Sequence, residues 1–206
     1  MIIVHHLEHS RSHRILWLLE ELGLDYEMKT YARDPRTRWA GDDLKAVHPL
    51  GKSPVVEDGG LKMAESGAIL EYLVETRGAG RLGVPPGDPR RFDYLYWLHY
   101  AEGSAMTAIL VALYVGRAGE APQPLKDRTE GQVAGQVGWI EQSLAGRAFL
   151  AGDFSAADIQ MSYPAEVLAR RPGLLDKTPN LKAWLERIRA RPAYRRALER
   201  GGPVVW

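Results

Sequence analysis

The sequence contains no cysteine. Disulfide staples, thiolate metal sites and a protein-borne cysteine nucleophile are thereby excluded. If thiol chemistry occurs on this chain, the thiol arrives on a ligand. An excess of one charge is equally lacking: 27 Lys and Arg stand against 26 Asp and Glu, for a formal charge of +1. With no long basic run to attract a polyanion, nucleic acid is not an expected partner. The basic stretch from Arg187 to Arg200 alternates with Ile188, Tyr194 and Leu198, which reads as a solvated helix face. Apolar runs of membrane-spanning length are missing too, since even Met106 to Val115 is too short. The opening Met1-Ile2-Ile3-Val4-His5-His6 is apolar over too few residues, with no charged leader, to read as a signal peptide. A soluble cytoplasmic protein with no membrane association is the expectation.

What is present is ordinary globular composition. The chain has 206 residues, 45% hydrophobic and 26% charged, enough for one large domain or two small ones. Ile2-Ile3-Val4 is a β-branched run that predicts a first strand. Ile15, Leu16, Leu18, Leu19 and Leu22 recur at helical spacing, with Ser10 or Ser12 as N-cap and Gly23 as the stop. Asp25 to Tyr31 fits a second strand, and Ala32 to Val47 supports only a short helix with loops. Ser53 to Glu57 and Leu61 to Met63 predict two short strands joined by a turn at Asp58-Gly59-Gly60. A helix carrying Ile69, Leu70, Tyr72 and Leu73 follows Glu65-Ser66. That order, βαβ then a ββ hairpin then α, is the order of a thioredoxin-like unit.

Gly78 to Pro89 is rich in Gly and Pro and reads as a linker, after which β signals vanish. Asp88-Pro89 predicts a helix start, and Phe92, Leu95, Leu98, Ala105, Ile109 and Leu113 repeat with helical period. A second helix is expected from about Leu125 to Leu144, on the spacing of Val133, Val137, Ile140 and Leu144. Gly131, Gly135 and Gly138 interrupt it at a propensity cost of about 1 kcal/mol each, which suggests close helix packing. Ser155-Ala156-Ala157-Asp158 has the form of a capping box. Thr178-Pro179 predicts the cap of a helix with Leu181, Trp184, Leu185 and Ile188, and Arg191-Pro192 starts a last short one. The fold class is therefore α+β: a thioredoxin-like domain over residues 1–80 with a mixed four-stranded sheet, then an all-α domain over 88–206.

Two segments carry chemistry. In His48-Pro49-Leu50-Gly51-Lys52-Ser53-Pro54-Val55-Val56 a proline stands where a strand starts, so its missing N–H costs no ladder bond. With a cis bond, Ser53 would offer its backbone N–H and C=O to a ligand; with a trans bond, Pro54 is a plain strand edge. In Ala64-Glu65-Ser66-Gly67-Ala68-Ile69 a Ser at a helix N-cap, with free N–H groups behind it, suits a carboxylate. Glu65 beside it suits an ammonium group. Together they fit a zwitterionic amino-acid moiety, or else an ordinary capped helix with an exposed Glu.

These two segments resemble the glutathione S-transferase family, which has a G-[KQ]-x-P-V strand start and an E-S-x-A-I helix start in this order. Ser10 to Gly23 looks like the family's first loop and helix, and Ser155 to Ile159 like its helical-domain capping box. The resemblance covers essentially the whole chain. It implies glutathione as co-substrate, with no metal, on the thioredoxin-like half. The Glu65-Ser66 pair would hold the γ-glutamyl amino and carboxylate groups. Ser53 would pair backbone-to-backbone with the cysteinyl residue before a cis Pro54, and Lys52 would sit near a carboxylate.

Family members without a catalytic Cys use a first-loop side chain to hydrogen-bond the glutathione sulfur, which favours thiolate over thiol. The usual spacing falls on His9, with Ser10 one residue further. The resemblance assigns the role to Ser10, with His9, Arg11 and Ser12 as alternatives; Ser12 fits a structural N-cap and Arg11 a carboxylate partner. An apolar electrophile would meet Tyr96, Tyr100, Met106, Tyr114 and Trp206 on the helical half. The implied activity is glutathione transfer for detoxification by a homodimer. A glutathione-dependent peroxidase or disulfide reductase on the same fold, or a non-catalytic binding module, is the alternative.

Overall fold

The computed structural model describes residues 1–204 and divides them into two units. The first comprises Met1–Pro85 together with the chain from Ile188 onward, and the second is Pro86–Arg187.

In the first unit, β1 (Ile2–Leu7), β2 (Tyr26–Tyr31), β3 (Val55–Asp58) and β4 (Leu61–Ala64) form one mixed sheet in the order β2-β1-β3-β4. The central strand β1 runs parallel to β2 and antiparallel to β3, and β3 antiparallel to β4. β1 is buried along almost its whole length, with His5 and His6 among its buried residues. The β3–β4 turn uses Gly59 and Gly60 at φ of 58° and 89°, a backbone that side-chained residues rarely adopt.

Helix α1 (His13–Leu22) buries Ile15, Leu16, Trp17, Leu18 and Leu19 completely. The Ile15–Leu19 run is enclosed on every side, and α1 contacts β1, α3 (Ser66–Thr76) and α9 (Pro192–Gly201). Gly23 closes α1 in the left-handed region, its N–H bonded to Leu19 O. The short α2 (Asp42–Val47) precedes the chemistry-bearing loop. Asp58 at the end of β3 takes Arg77 Nε at 2.7 Å, Arg77 Nη2 at 2.6 Å and Tyr72 OH at 3.2 Å, tying α3 to the sheet.

The last segment departs from expectation. Residues 88–206 were expected as one helical domain, and the structure groups α9 with the first unit. Its basic residues are also not a merely solvated face. Arg191 pairs with Glu21 (Nε to Oε1, 2.5 Å), Arg196 with Glu20 (2.7 Å) and Arg200 with Glu20 (3.3 Å), while Arg200 lies 3.9 Å from the Tyr26 ring centroid. The acidic partners lie on α1, about 170 positions or more earlier in the chain, which local charge patterning cannot register.

The second unit is helical. α4 (Arg91–Tyr100), a π-helical turn (Ala101–Met106) and α5 (Thr107–Arg117) run on without a break, followed by α6 (Gln123–Ser143), α7 (Ala156–Ala169) and α8 (Pro179–Arg189). α4 begins after Pro89, because the Asp88 carboxylate takes the Arg90 N–H at 2.8 Å and holds a turn there. Among the described residues, Arg91–Arg117 is long and apolar enough to match a membrane span by length and composition; it packs on α6 and α7 as a core helix does.

α6 buries Val133 and Ile140, and Leu144 just beyond it is buried too, but Gly131, Gly135 and Gly138 point away from any partner. A Cβ at each of the three would meet nothing within 4 Å, so the close packing expected of them is not present. The capping box at Ser155–Asp158 is formed. The start of α8 is capped otherwise than expected: the Glu141 carboxylate accepts the N–H groups of Asn180 and Leu181 at 3.0 and 2.8 Å, while the Thr178 hydroxyl donates to Leu174 O.

Candidate functional site

The register explains why distant segments meet at one end of the sheet. Val55 pairs with Ala64 across the hairpin and with His5 across β1. Ser53-Pro54 therefore precedes β3 at the same edge where Glu65 follows β4 and where β1 runs out into the first loop. The Ser53–Pro54 peptide bond is cis. The Ser53 hydroxyl is committed to β1: it accepts the Leu7 N–H at 3.1 Å and donates to His5 O at 2.8 Å. Its side chain thus anchors the loop to the sheet, and Lys52 beside it is exposed.

Glu65 is exposed and occupies the N-cap of α3 at φ 70°, ψ 112°, a conformation costly for a residue with a Cβ. Such strain at a helix start is held by its surroundings and concentrates at functional positions. Ser66 is the first helical residue rather than the cap, and it is buried. Its Oγ accepts from Arg14 Nη1 at 3.0 Å. Arg14 is a fully buried guanidinium contributed by α1, so a positive charge stands next to the N-terminal dipole of α3. An anionic group at this end of the sheet would meet both.

The first loop is held from two sides. Arg33, following β2, donates to Glu8 O at 2.8 Å, to His9 O at 3.2 Å and to Arg38 O at 2.8 Å. His9 itself takes φ 50°. Ser10 is only 6% exposed, and Ser12 is completely buried. Their hydroxyls meet at 2.7 Å, Ser12 N–H donates to Ser10 Oγ at 3.2 Å, and Ser10 Oγ comes within 3.4 Å of Ser53 Oγ. Ser12 stands at the N-cap of α1, yet its hydroxyl makes no capping bond; it reaches His6 Nδ1 at 2.8 Å instead. Arg11 is half-buried. His13 is enclosed, and burial, with His6 and Arg14 nearby, pushes its imidazole down to about 3, so it is neutral.

Of the aromatic residues expected to receive an electrophile, Tyr96 and Tyr100 stack at 5.4 Å between ring centroids. Tyr100 is buried and donates its hydroxyl to Gln136, and Met106 is buried in the π-helical turn. Tyr114 is 63% exposed on α5. Trp206 lies outside the described residues. Tyr96 instead lines a cleft of about 410 Å³ with Phe92, Trp97, Trp139 and the Arg147–Asp93 ion pair (3.0 Å). Trp97 and Trp139 stack there at 6.5 Å between centroids, and Tyr96 meets Trp97 edge-on at 5.1 Å. Among the described residues, no group of three or more His, Asp or Glu is arranged to hold a metal ion.

Sequence reading missed two residues of the sheet end. Arg14 carried a signal, a lone charge inside an apolar helix phrase. His6 carried none, since a histidine on a strand is unremarkable until the residue across from it is known.

A thioredoxin-like sheet unit with a cis proline and a helix start at one edge, joined to a helical unit, defines the class. Residues 1–75 match the model of the glutathione S-transferase N-terminal domain, and residues 104–192 that of the C-terminal domain. The chain is 35% identical to Glutathione S-transferase 3 of Schizosaccharomyces pombe, over 97% of this chain and 88% of the relative. It is 30% identical to Glutathione S-transferase 1 of Saccharomyces cerevisiae, over 97% and 95%. The crystal structure of a glutathione S-transferase from Actinobacillus pleuropneumoniae superposes with a TM-score of 0.86 at 35% identity, over 98% of this chain and 93% of that one. A sphingomonad glutathione S-transferase solved with glutathione gives a TM-score of 0.80 at 25% identity, over 97% and 98%. The chain belongs to the glutathione S-transferase family, a family of transferase enzymes.

Proposed function

We propose that the chain is a glutathione transferase that binds glutathione at the β1–β3–β4 edge and stabilises its thiolate for attack on an apolar electrophile. The observation that carries this reading is the meeting, at one sheet edge, of the first loop, Lys52–Pro54 and Glu65–Ser66. Glutathione has one ammonium and two carboxylates, and the edge has matching groups. Glu65 takes the γ-glutamyl ammonium. The α3 N-terminus with Ser66, backed by Arg14, takes the γ-glutamyl carboxylate. Lys52 is exposed where it can meet a carboxylate, and the Ser53 backbone pairs with the cysteinyl residue. Ser10 is the group that acts on the sulfur.

A thiol is about 8.5 in pKa when unperturbed, so a hydrogen bond and the positive end of a helix dipole raise the thiolate fraction at neutral pH. The thiolate is then a competent nucleophile. The helical unit supplies apolar contacts for the electrophile, Tyr96 being half-buried and Tyr114 exposed among the expected set. The protein acts in the cytoplasm as a homodimer.

Retention on glutathione resin, a binding heat on titration with glutathione, and turnover of an aryl halide are the expected results. Ser10→Ala should lower kcat with the aryl halide by about 10²-fold while changing glutathione affinity little. No retention and no heat would sink the reading, and unchanged turnover would move the role to His9, Arg11 or Ser12. Faster reaction with an organic peroxide or a mixed disulfide than with the aryl halide would replace carbon by oxygen or sulfur as the atom attacked.

A further inference from the structure

The hydroxyl chain behind Ser10 has a direction that its partners dictate. His6 Nε2 lies 2.9 Å from Gly201 O at the end of α9. A carbonyl oxygen only accepts, so Nε2 carries a proton. In the neutral ring Nδ1 is then a bare acceptor, and the Ser12 hydroxyl 2.8 Å away must donate to it. The Ser12 proton being spent, the 2.7 Å contact between Ser10 and Ser12 is a donation from Ser10. Ser53 gives its own proton to His5 O at 2.8 Å, and as an acceptor for the Ser10 proton its Oγ, 3.4 Å away, is a poorer partner than Ser12 Oγ at 2.7 Å. In the resting state the Ser10 proton therefore points inward, and Ser10 Oγ can only accept from an incoming group.

A hydroxyl in that orientation cannot donate to a thiolate, but it can receive a proton from a thiol. We propose that Ser10, Ser12 and His6 form a relay that takes the thiol proton of glutathione and stores it on His6. As the S–H bond breaks, its proton goes to Ser10 Oγ, the Ser10 proton goes to Ser12 Oγ, and the Ser12 proton forms a new bond to His6 Nδ1. The products are a thiolate and an imidazolium, and no proton or electron is left over. The same shift turns Ser10 into a donor facing the new thiolate, so one movement both removes the proton and supplies the stabilising hydrogen bond. Within this relay His6 and Ser12 are positioning and proton-holding residues, and Ser10 is the one that meets sulfur. The inference rests on the glutathione reading.

Burial outweighs the Gly201 carbonyl and Glu8 and, with His9, holds the His6 imidazole below its ordinary 6.5, so a proton taken up there is held weakly and is readily returned. His13 on α1, near enough to interact with the His6 charge, is neutral. Arg200, next to Gly201 on α9, is engaged with Glu20 and the Tyr26 ring. The approach of α9 is close: a Cβ at Gly201 would fall 3.1 Å from His6 Cε1 and 2.5 Å from Leu16 Cδ1, so a larger residue there would have to displace side chains beside the ring.

The test is nitrogen NMR of the intact wild-type protein with labelled histidine at neutral pH, alone, with glutathione, and with S-methylglutathione, which has no thiol proton. The relay predicts a neutral His6 alone and with S-methylglutathione, and an imidazolium with glutathione. A neutral ring with glutathione bound overturns the relay and leaves the transferase reading standing. An imidazolium with both ligands also overturns it, because the proton then does not come from the thiol. Failure of glutathione to bind, followed by calorimetry on the same sample, overturns both. A second readout uses Ser12: Ser12→Ala should lower kcat by about 10²-fold with the KM for glutathione unchanged, and Ser12→Thr should restore it. A KM effect alone, or no rescue by Thr, marks Ser12 as scaffold only.

Discussion

The sheet edge of the first unit and the aromatic cleft of the second are built by opposite means. At the sheet edge polar contacts dominate: Arg33 on the first loop, Ser53 on β1, Arg14 on Ser66, and the hydroxyl chain from Ser10 to His6. In the second unit the buried polar contacts converge on Asp158, which does not line the cleft, and the cleft itself is walled by stacked aromatic rings with one ion pair. One region is built from directional polar contacts, which suit a ligand of fixed charges. The other offers shape and apolar area, which constrain a ligand far less. A protein that accepts one constant co-substrate and a varied second one would be divided in this way.

The strongest way to break the contrast is at Asp158. Its carboxylate accepts from Leu150 N–H at 3.0 Å, Ser155 N–H at 3.0 Å and Trp184 Nε1 at 2.9 Å, all buried. Asp158→Ala should cost about 3–5 kcal/mol, read as a fall in urea midpoint; a loss under about 1 kcal/mol would show that the helical unit does not depend on this centre.

Acid should then separate the two units. Burial opposes ionisation of Glu20, but hydrogen bonds from Arg196, Tyr26 and Arg200 prevail and hold its carboxyl below the ordinary 4.5. Its contribution to the α1–α9 latch is present above that value and lost as pH falls through the lower folded value. Asp158 behaves oppositely: burial raises it from 3.8 to about 6, so its protonated form is favoured in the fold, and stability declines as pH rises across that interval. Stability against pH should therefore flatten between these values in Asp158→Asn and flatten below pH 4.5 in Glu20→Gln. Glu20→Gln should itself cost about 1 kcal/mol at neutral pH, since its Arg partners are half-exposed. Identical profiles in the two variants would remove the contrast.

The smallest effect concerns α6. With open space at Gly135, Gly135→Ala should stabilise by about 0.5–1 kcal/mol in thermal unfolding. A destabilisation would mean that this face is covered by something other than the chain itself.

Much of the sheet edge was legible because its requirements are local. A proline at a strand start, a Glu-Ser pair at a helix start and a Ser–Asp capping box each depend on residues a few positions apart. The differences between sequence and fold all involve partners or surroundings that the linear chain does not state. Arg191, Arg196 and Arg200 looked solvated because Glu20 and Glu21 lie at the other end of the chain. Tyr100 and Met106, expected from the resemblance to meet an electrophile, are buried, and which neighbours bury them is not written in the linear chain. Gly131, Gly135 and Gly138 looked like packing sites because propensity arguments cannot see empty space beside a helix.

The absence of cysteine by itself determined that a thiol on this protein must be borrowed, and the order of local motifs determined a thioredoxin-like unit followed by helices. Both follow from residue chemistry and short-range backbone preferences, which the linear chain states directly. Only the tertiary structure decided that α9 returns to α1, and that its final carbonyl, 195 positions from His6, sets the direction of the Ser12 and Ser10 protons. A hydrogen bond's direction is a property of partners in space, and folding alone brings those partners together.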